Sequence, residues 1–200
     1  MADAHPSVSS SALDVLFRDA RTFSAWQDRP VDPALLEQAY DIAKMGPTSM
    51  NTQPMRVVFV TSAEGKERLK PTLSPGNVDK TMAAPVTAIV AFDRAFPDTL
   101  PVLFPHFAAA PEMFRSNAAL LEETAFRNSS LQAAYLIIAL RAVGLDCGPM
   151  SGFDKEKAAA AFFPDSPWAA NLLINIGYGK PDALYPRLPR LSFGEATRFA

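Results

Sequence analysis

The segment 122–143, EETAFRNSSLQAAYLIIALRAV, constrains the fold more than any other stretch. Its spacing predicts a helix, and after Leu131 that helix turns apolar on nearly every side. A helix apolar all round has to be covered all round. In a chain of 200 residues, one layer of neighbours leaves part of such a helix bare, so a second copy of the chain is a natural source of the missing cover. The uncharged core, LQAAYLIIAL, runs only from 131 to 140 between Arg127 and Arg141. It is too short for the ~20 residues a bilayer span needs. No membrane association is expected.

Around this helix the pattern alternates. A helix is predicted from Ser10 or Ser11 to about Ala20, capped by Ser11 or Asp14, delivering Arg21 just past its end. Asp32-Pro33 starts a second helix, which Gly46-Pro47 stops. RVVFVT (56–61) reads as a strand, 64–70 as a short helix capped by Ser62, and VTAIVAF (86–92) as a strand buried on both faces. Residues 93–111 carry Pro97, Pro101, Pro105 and Pro111 and read as an irregular excursion of the kind that serves as a lid or binding loop. Helix follows from 112 to 143 in two pieces, then a short extended LDCGPM (145–150), a helix from Asp154 to before Pro164, and the strand NLLINIGYG (171–179). The tail from Lys180 to about Phe193 is extended. The prediction is one layered α+β domain over 11–200 behind a disordered leader, 1–10.

Several chemistries are excluded. A net charge of −2 without a basic cluster argues against nucleic acid. The single Cys147 cannot form an internal disulfide and fits a cytoplasmic setting, and the start MADAHPSVSS is not a signal peptide. Two histidines, His5 and His106, make no metal cluster, so no metal is expected. A catalytic histidine would have to be His106, whose ordinary fate is surface or packing. No P-loop or dinucleotide fingerprint is present.

What remains is scattered. GPTSMNTQP (46–54) sets the hydrogen-bonding side chains of Thr48, Ser49, Asn51 and Gln53 between two rigid prolines, either an ordinary polar loop or a wall for a ligand with polar edges. Arg18, Arg21, Arg187 and Arg190 are either solvated or bidentate anion binders. CGPMSGF (147–153) is either a connector or a turn offering backbone N–H groups to a flat ligand.

In chain order, ARTF (20–23), GPTSMNTQP, VVFV (57–60), the strand entry at 84–90, ALRAVGLDCGPMSGF (139–153) and NLLINIGYG with its downstream PRLP resemble the flavin-dependent nitroreductase family over residues 11–193. AAPVTAIVA, FRNSSLQAAYLI and RLPRLSF resemble, within it, the branch that reduces malonic semialdehyde in pyrimidine utilisation, also labelled NADH dehydrogenase/NAD(P)H nitroreductase.

The resemblance implies a three-layer α+β sandwich with a mixed sheet, an intertwined homodimer, and FMN bound at the dimer interface with NAD(P)H as co-substrate. It implies ping-pong hydride transfer through flavin N5, which needs no catalytic side chain, only a backbone N–H near Ser151 to tune it. Matched by position, Arg21 and Arg187 meet the flavin phosphate or pyrimidine, with Pro47, Thr48, Ser49 and Asn51 along the pyrimidine edge and ribityl chain. Pro149, Ser151 and Gly152 lie at N5, and Asn77, Lys80 and Asn128 fall near contact positions. Phe17, Asp19 and Tyr185 replace residues that the family often carries as Arg, Ser and Lys. Either the helix end turns away from the phosphate, or Arg18, Arg187 and Arg190 carry it, and FMN retention is expected to be weaker. A substrate carboxylate would call on Arg115 or Arg127. A broad nitro- or quinone reductase and a non-catalytic flavin-binding dimer are the competing expectations.

Overall fold

The computed structural model describes residues 6–200. The first half of the expected leader, with His5, lies outside the described residues; 6–9 carry no regular structure. Helix α1 (Ser10–Leu13) is capped by Ser9, whose hydroxyl accepts from Ala12 N–H, rather than by Ser11 or Asp14. The helix does not continue to Ala20 as a regular α-helix: Asp14–Arg18 widens into a π-turn. Helix α2 (Pro33–Ala43) has the expected Asp32 cap and Pro at its first position. Then follow β1 (Met55–Val60), α3 (Ala63–Leu69), capped by Ser62, and α4 (Val78–Met82). Strand β2 (Val86–Asp93) is buried throughout.

The excursion is more regular than its prolines suggest. It forms a 3-10 turn at Phe96–Thr99, α5 (Leu100–Leu103) and α6 (Ala110–Arg115). Prolines at first-turn positions start these short helices rather than break them, since the N–H they lack is unpaired there anyway. The long α7 (Ala118–Ala142) leads to β3 (Asp146–Met150), α8 (Lys155–Phe162), β4 (Trp168–Gly177) and α9 (Phe193–Ala196).

The sheet order is β1-β2-β4-β3. All three pairings are antiparallel where a mixed sheet is expected. The parallel contribution is a single bridge, Thr22 to Cys147. Successive side chains of β2 and β4 point to opposite faces. Val86, Ala88, Val90, Ile174 and Ile176 pack with residues of α2 and α7. Ile89, Ala91 and Leu173 pack with Leu69, Ala158 and Phe163 on the other side. The result is three layers: α2 and α7, the sheet, then α3 and α8.

Helix α7 departs from its expected surroundings. Its sheet-facing side buries Asn128, Ser129 and Gln132 along with Leu136 and Leu140, while Phe126, Leu131 and Tyr135 stay 41–47% exposed. Within one chain the helix is half covered, and the uncovered half carries Phe126, Leu131, Ala134 and Tyr135 beside the paired Glu123 and Arg127. Among the described residues no helix is long and apolar enough to cross a membrane.

Candidate functional site

The predicted residues gather into two groups. The first is built where the segment after the π-turn docks on the edge strand β3. Phe23 N–H donates to Cys147 O at 3.1 Å. Glycines make this approach possible: a Cβ on Gly148 would sit 2.4 Å from Phe23 O, and one on Gly179 would meet the Phe23 ring at 2.1 Å. Arg21 is thereby delivered to a cavity of about 500 Å³, shared with Arg141, Arg187 and Arg190 and rimmed by Thr22 and Ser24.

The guanidiniums are held by backbone oxygens rather than by carboxylates. Arg21 donates to Tyr185 O, Arg187 to Arg18 O at 2.6 Å and Ala20 O at 2.9 Å, and Arg141 to Leu16 O at 3.0 Å. Among the described residues no carboxylate pairs with them, and this suits a bidentate oxyanion. Arg18 turns away, paired with Asp14 at 2.7 Å and bonded to Ser10. Neither Arg18 nor Asp19 lines the cavity, although Phe17 and Tyr185 do.

Strand β3, whose Cys147 is bridged to Thr22 on the cavity rim, leads through Pro149 into Ser151 and Gly152. Gly152 O accepts from Asn77 Nδ2 at 2.7 Å and from Ser74 N–H at 3.1 Å. Asn77 and Lys80, at the start and within α4, thus belong with the turn. Ser151 is exposed.

The second group is the loop 46–54. Its ends are clamped by α7: Asn128 Oδ1 accepts from Ser49 N–H at 2.8 Å and Gln132 Oε1 from Met55 N–H at 2.9 Å. Asn128 is 3% exposed and gives its amide to Thr124 O. It supports the loop from below rather than facing a ligand. Between the clamps Met50, Asn51 and Gln53 have φ of 50°, 51° and 41°. A left-handed residue other than glycine costs about 1–2 kcal/mol, so three of them mark a loop whose shape is enforced. Asn51 Nδ2 donates to Leu103 O in α5 at 2.9 Å, and Pro47 and Ser49 are exposed on the outside.

These two groups sit on opposite edges of the sheet. The loop leads into β1 and the turn follows β3, three strand spacings apart, about 14 Å. Among the described residues no hydrogen bond joins them.

Other candidates are engaged elsewhere. Arg115 pairs with Asp98, and Arg127 with Glu123. The exposed His106 stacks on Phe104, centroids 3.9 Å apart. Burial pushes the Cys147 thiol up to about 12, so it is no nucleophile at neutral pH. Among the described residues no acidic, Cys or His cluster suits a metal. Sequence reasoning missed Arg141, Gln132 and the buried Lys66. A lysine in a short polar helix and an arginine at a helix C-terminus carry no signal that separates them from solvated charges.

The nitroreductase family profile matches residues 18–178. A curated relative from Stutzerimonas stutzeri (strain A1501), named "Putative NADH dehydrogenase/NAD(P)H nitroreductase", is 58% identical over 196 residues, covering 98% of this chain and 100% of that protein. Among solved structures, the "putative nitroreductase ydfN" of Bacillus subtilis superposes with a TM-score of 0.86 at 22% identity, over 96% of this chain and 100% of that one. A "putative nitroreductase in complex with FMN" from Exiguobacterium sibiricum 255-15 does so with a TM-score of 0.80 at 22% identity, over 98% and 100%. These two likenesses establish the fold.

Proposed function

The chain belongs to the nitroreductase family, and on that premise we propose that it is a cytoplasmic, FMN-dependent NAD(P)H oxidoreductase that reduces malonic semialdehyde to 3-hydroxypropionate. The observation that carries the cofactor assignment is the arginine cavity, whose rim residue Thr22 is bridged to β3. The donor set fits FMN. Among the described residues, these four guanidiniums have no carboxylate partner and face a space suited to a phosphate, and Nε of Arg141 in its wall is buried without a partner. An unpaired buried donor is unusual enough in a folded protein to need a reason.

In this reading Arg21 and Arg187 hold the phosphate. Ser151 and Gly152 lie along the ring edge with Asn77 and Lys80, and the backbone N–H near Ser151 tunes the ring. FMN when bound would supply a hydride relay at its N5, chemistry that no amino-acid side chain provides. Thr48, Ser49 and Asn51, on the opposite edge of the sheet, complete the site only from a second copy. The proposal therefore includes a homodimer, with the bare face of α7, Phe126, Leu131 and Tyr135, as its core. A stable monomer in sedimentation at micromolar concentration would contradict this part.

One titration separates the two groups of ligands. Arg187→Ala is expected to weaken FMN on the order of 100-fold while changing riboflavin affinity little, since a charge-assisted phosphate contact is lost. Asn51→Ala is expected to weaken both flavins, by about tenfold. Equal losses of FMN and riboflavin in Arg187→Ala would remove the arginines from the phosphate site.

The substrate is tested by NAD(P)H oxidation with FMN-replete protein. Malonic semialdehyde should be consumed with 3-hydroxypropionate formed, faster than a nitroaromatic or a quinone. The broad nitro- or quinone reductase is the second reading. It is favoured by the excursion, whose exposed aromatic and apolar side chains include Val102 and Phe107, while Arg115 and Arg127 are already paired. NAD(P)H oxidation with aromatic acceptors alone decides for it, and no oxidation with any acceptor leaves a flavin-binding dimer.

A further inference from the structure

We propose that the buried Lys66 is a positioning residue, which through Thr81, Thr87 and Asn175 holds α4, and with it Asn77 and Lys80, against the turn after β3. The proposal deepens the cofactor site proposed above and rests on that reading for its flavin readout only.

Lys66 is 6% exposed. Its ammonium donates to Thr81 O at 2.9 Å and to Thr87 Oγ1 at 2.6 Å. Thr87 donates in turn to Asn175 Oδ1 at 2.7 Å. Asn175 Nδ2 reaches Lys80 O at 3.2 Å and Thr81 Oγ1 at 3.3 Å, and the Thr81 hydroxyl points to Met150 Sδ at 3.7 Å. Lys80 O also accepts from Trp26 Nε1 at 3.0 Å. One interior network thus ties together α3, α4, both central strands, the end of β3, and Trp26 on the segment that delivers Arg21.

Helix α4 has only five residues, too few to hold a helix in water without outside contacts. Its place is set from its two ends. Asn77 is fastened to Gly152 O, and the last turn is fastened to Lys66. The ammonium meets neutral oxygens and no carboxylate among its hydrogen-bond partners, and desolvation lowers its pKa to about 8. A buried charge of this kind adds little to stability. An apolar side chain of similar volume in such a place is often neutral or stabilising. Directional donation to two acceptors on different elements is what the amine provides and an apolar side chain does not.

The test compares wild type with Lys66→Met in two measurements, amide hydrogen exchange over residues 77–82 without flavin and the FMN dissociation constant. The melting temperature at pH 7 is expected to stay within about 4 °C. Exchange over 77–82 should accelerate about tenfold, as expected for local opening of an element that has lost an anchor, and the FMN dissociation constant should rise about tenfold. Unchanged exchange, or an unchanged dissociation constant, overturns the proposal. Thr87→Val breaks the same network without touching the charge and gives the same reading if Lys66→Met fails to fold. Wild-type protein that takes up no FMN, with exchange still accelerated in the variant, overturns the oxidoreductase reading and leaves the positioning role standing.

Discussion

Gly148→Ala is expected to destabilise the protein by about 3 kcal/mol or more, at the upper end of what overpacking costs, and to abolish FMN uptake at 37 °C. The added methyl would stand 2.4 Å from Phe23 O, and that oxygen belongs to backbone. No rotamer change relieves the contact. Either β3 leaves its pairing with β4 or the segment 21–26 lifts off the sheet. The second is cheaper, because that segment is held to β3 by one bridge and the Phe23 N–H bond. Lifting it withdraws Arg21 from the cavity and Trp26 from Lys80 O. Denaturant unfolding and flavin titration measure the two effects. A variant with wild-type stability would show that the segment is not docked as described.

Stability is expected to rise with pH between 8 and 9 by about 1 kcal/mol from Lys66 alone. The folded amine has its pKa lowered by desolvation to about 8, from 10.5 in the ordinary case. Below pH 8 it is protonated in both states, and the folded protein bears the full cost of the buried charge. Above pH 8 the folded amine releases its proton while the unfolded chain keeps it, so the unfolded state binds more protons and loses ground. The gain is complete only above 10.5.

Cys147 works in the opposite sense. Its thiol, raised to about 12 from 9.0, keeps its proton in the folded state while the unfolded chain loses it, so stability falls through the range 9–12. Cys147 contributes equally to wild type and Lys66→Met, so the difference between the two proteins isolates the lysine. Unfolding free energies at pH 7 and pH 9 should differ in wild type and converge in Lys66→Met. The same slope in both proteins would mean that the amine is hydrated.

Much of this could be read from residue patterns, for reasons that also show where the reading stops. Val86–Phe92 announces a buried strand because every side chain is apolar or small, and Asp32-Pro33 announces a helix start because proline's missing N–H costs nothing there. Helix α7 was legible as a helix but not in its orientation. Asn128, Ser129 and Gln132 look like an outer face and in fact turn inward, each satisfied by a backbone or side-chain partner. Hydrophobic periodicity cannot see a polar residue whose partner lies 77 residues away, as Met55 does from Gln132.

The same limit hid Lys66. The left-handed backbone at Met50, Asn51 and Gln53 was invisible too, because none is glycine and only the clamps at both ends force it. Thr48, Ser49, Asn51, Pro149 and Gly152 are candidates by resemblance alone. Structure added that the first three and the last two stand at opposite edges of one sheet.

The tail from Leu184 onward gives a last consequence. It is anchored to the body chiefly by Arg21 at Tyr185 O and by Arg187 at Arg18 O and Ala20 O. Leu188, Leu191, Phe193 and Phe199 beyond lie 66–92% exposed. The tail contributes nothing to the three apolar layers, yet it carries two of the four cavity arginines. A single protease cut near Tyr185 would leave a folded sandwich with half the positive charge of its anion site gone. On the proposed phosphate site, folding and cofactor retention would reside on separable pieces of one chain, and a fusion or a trim at this end would act on the second without touching the first.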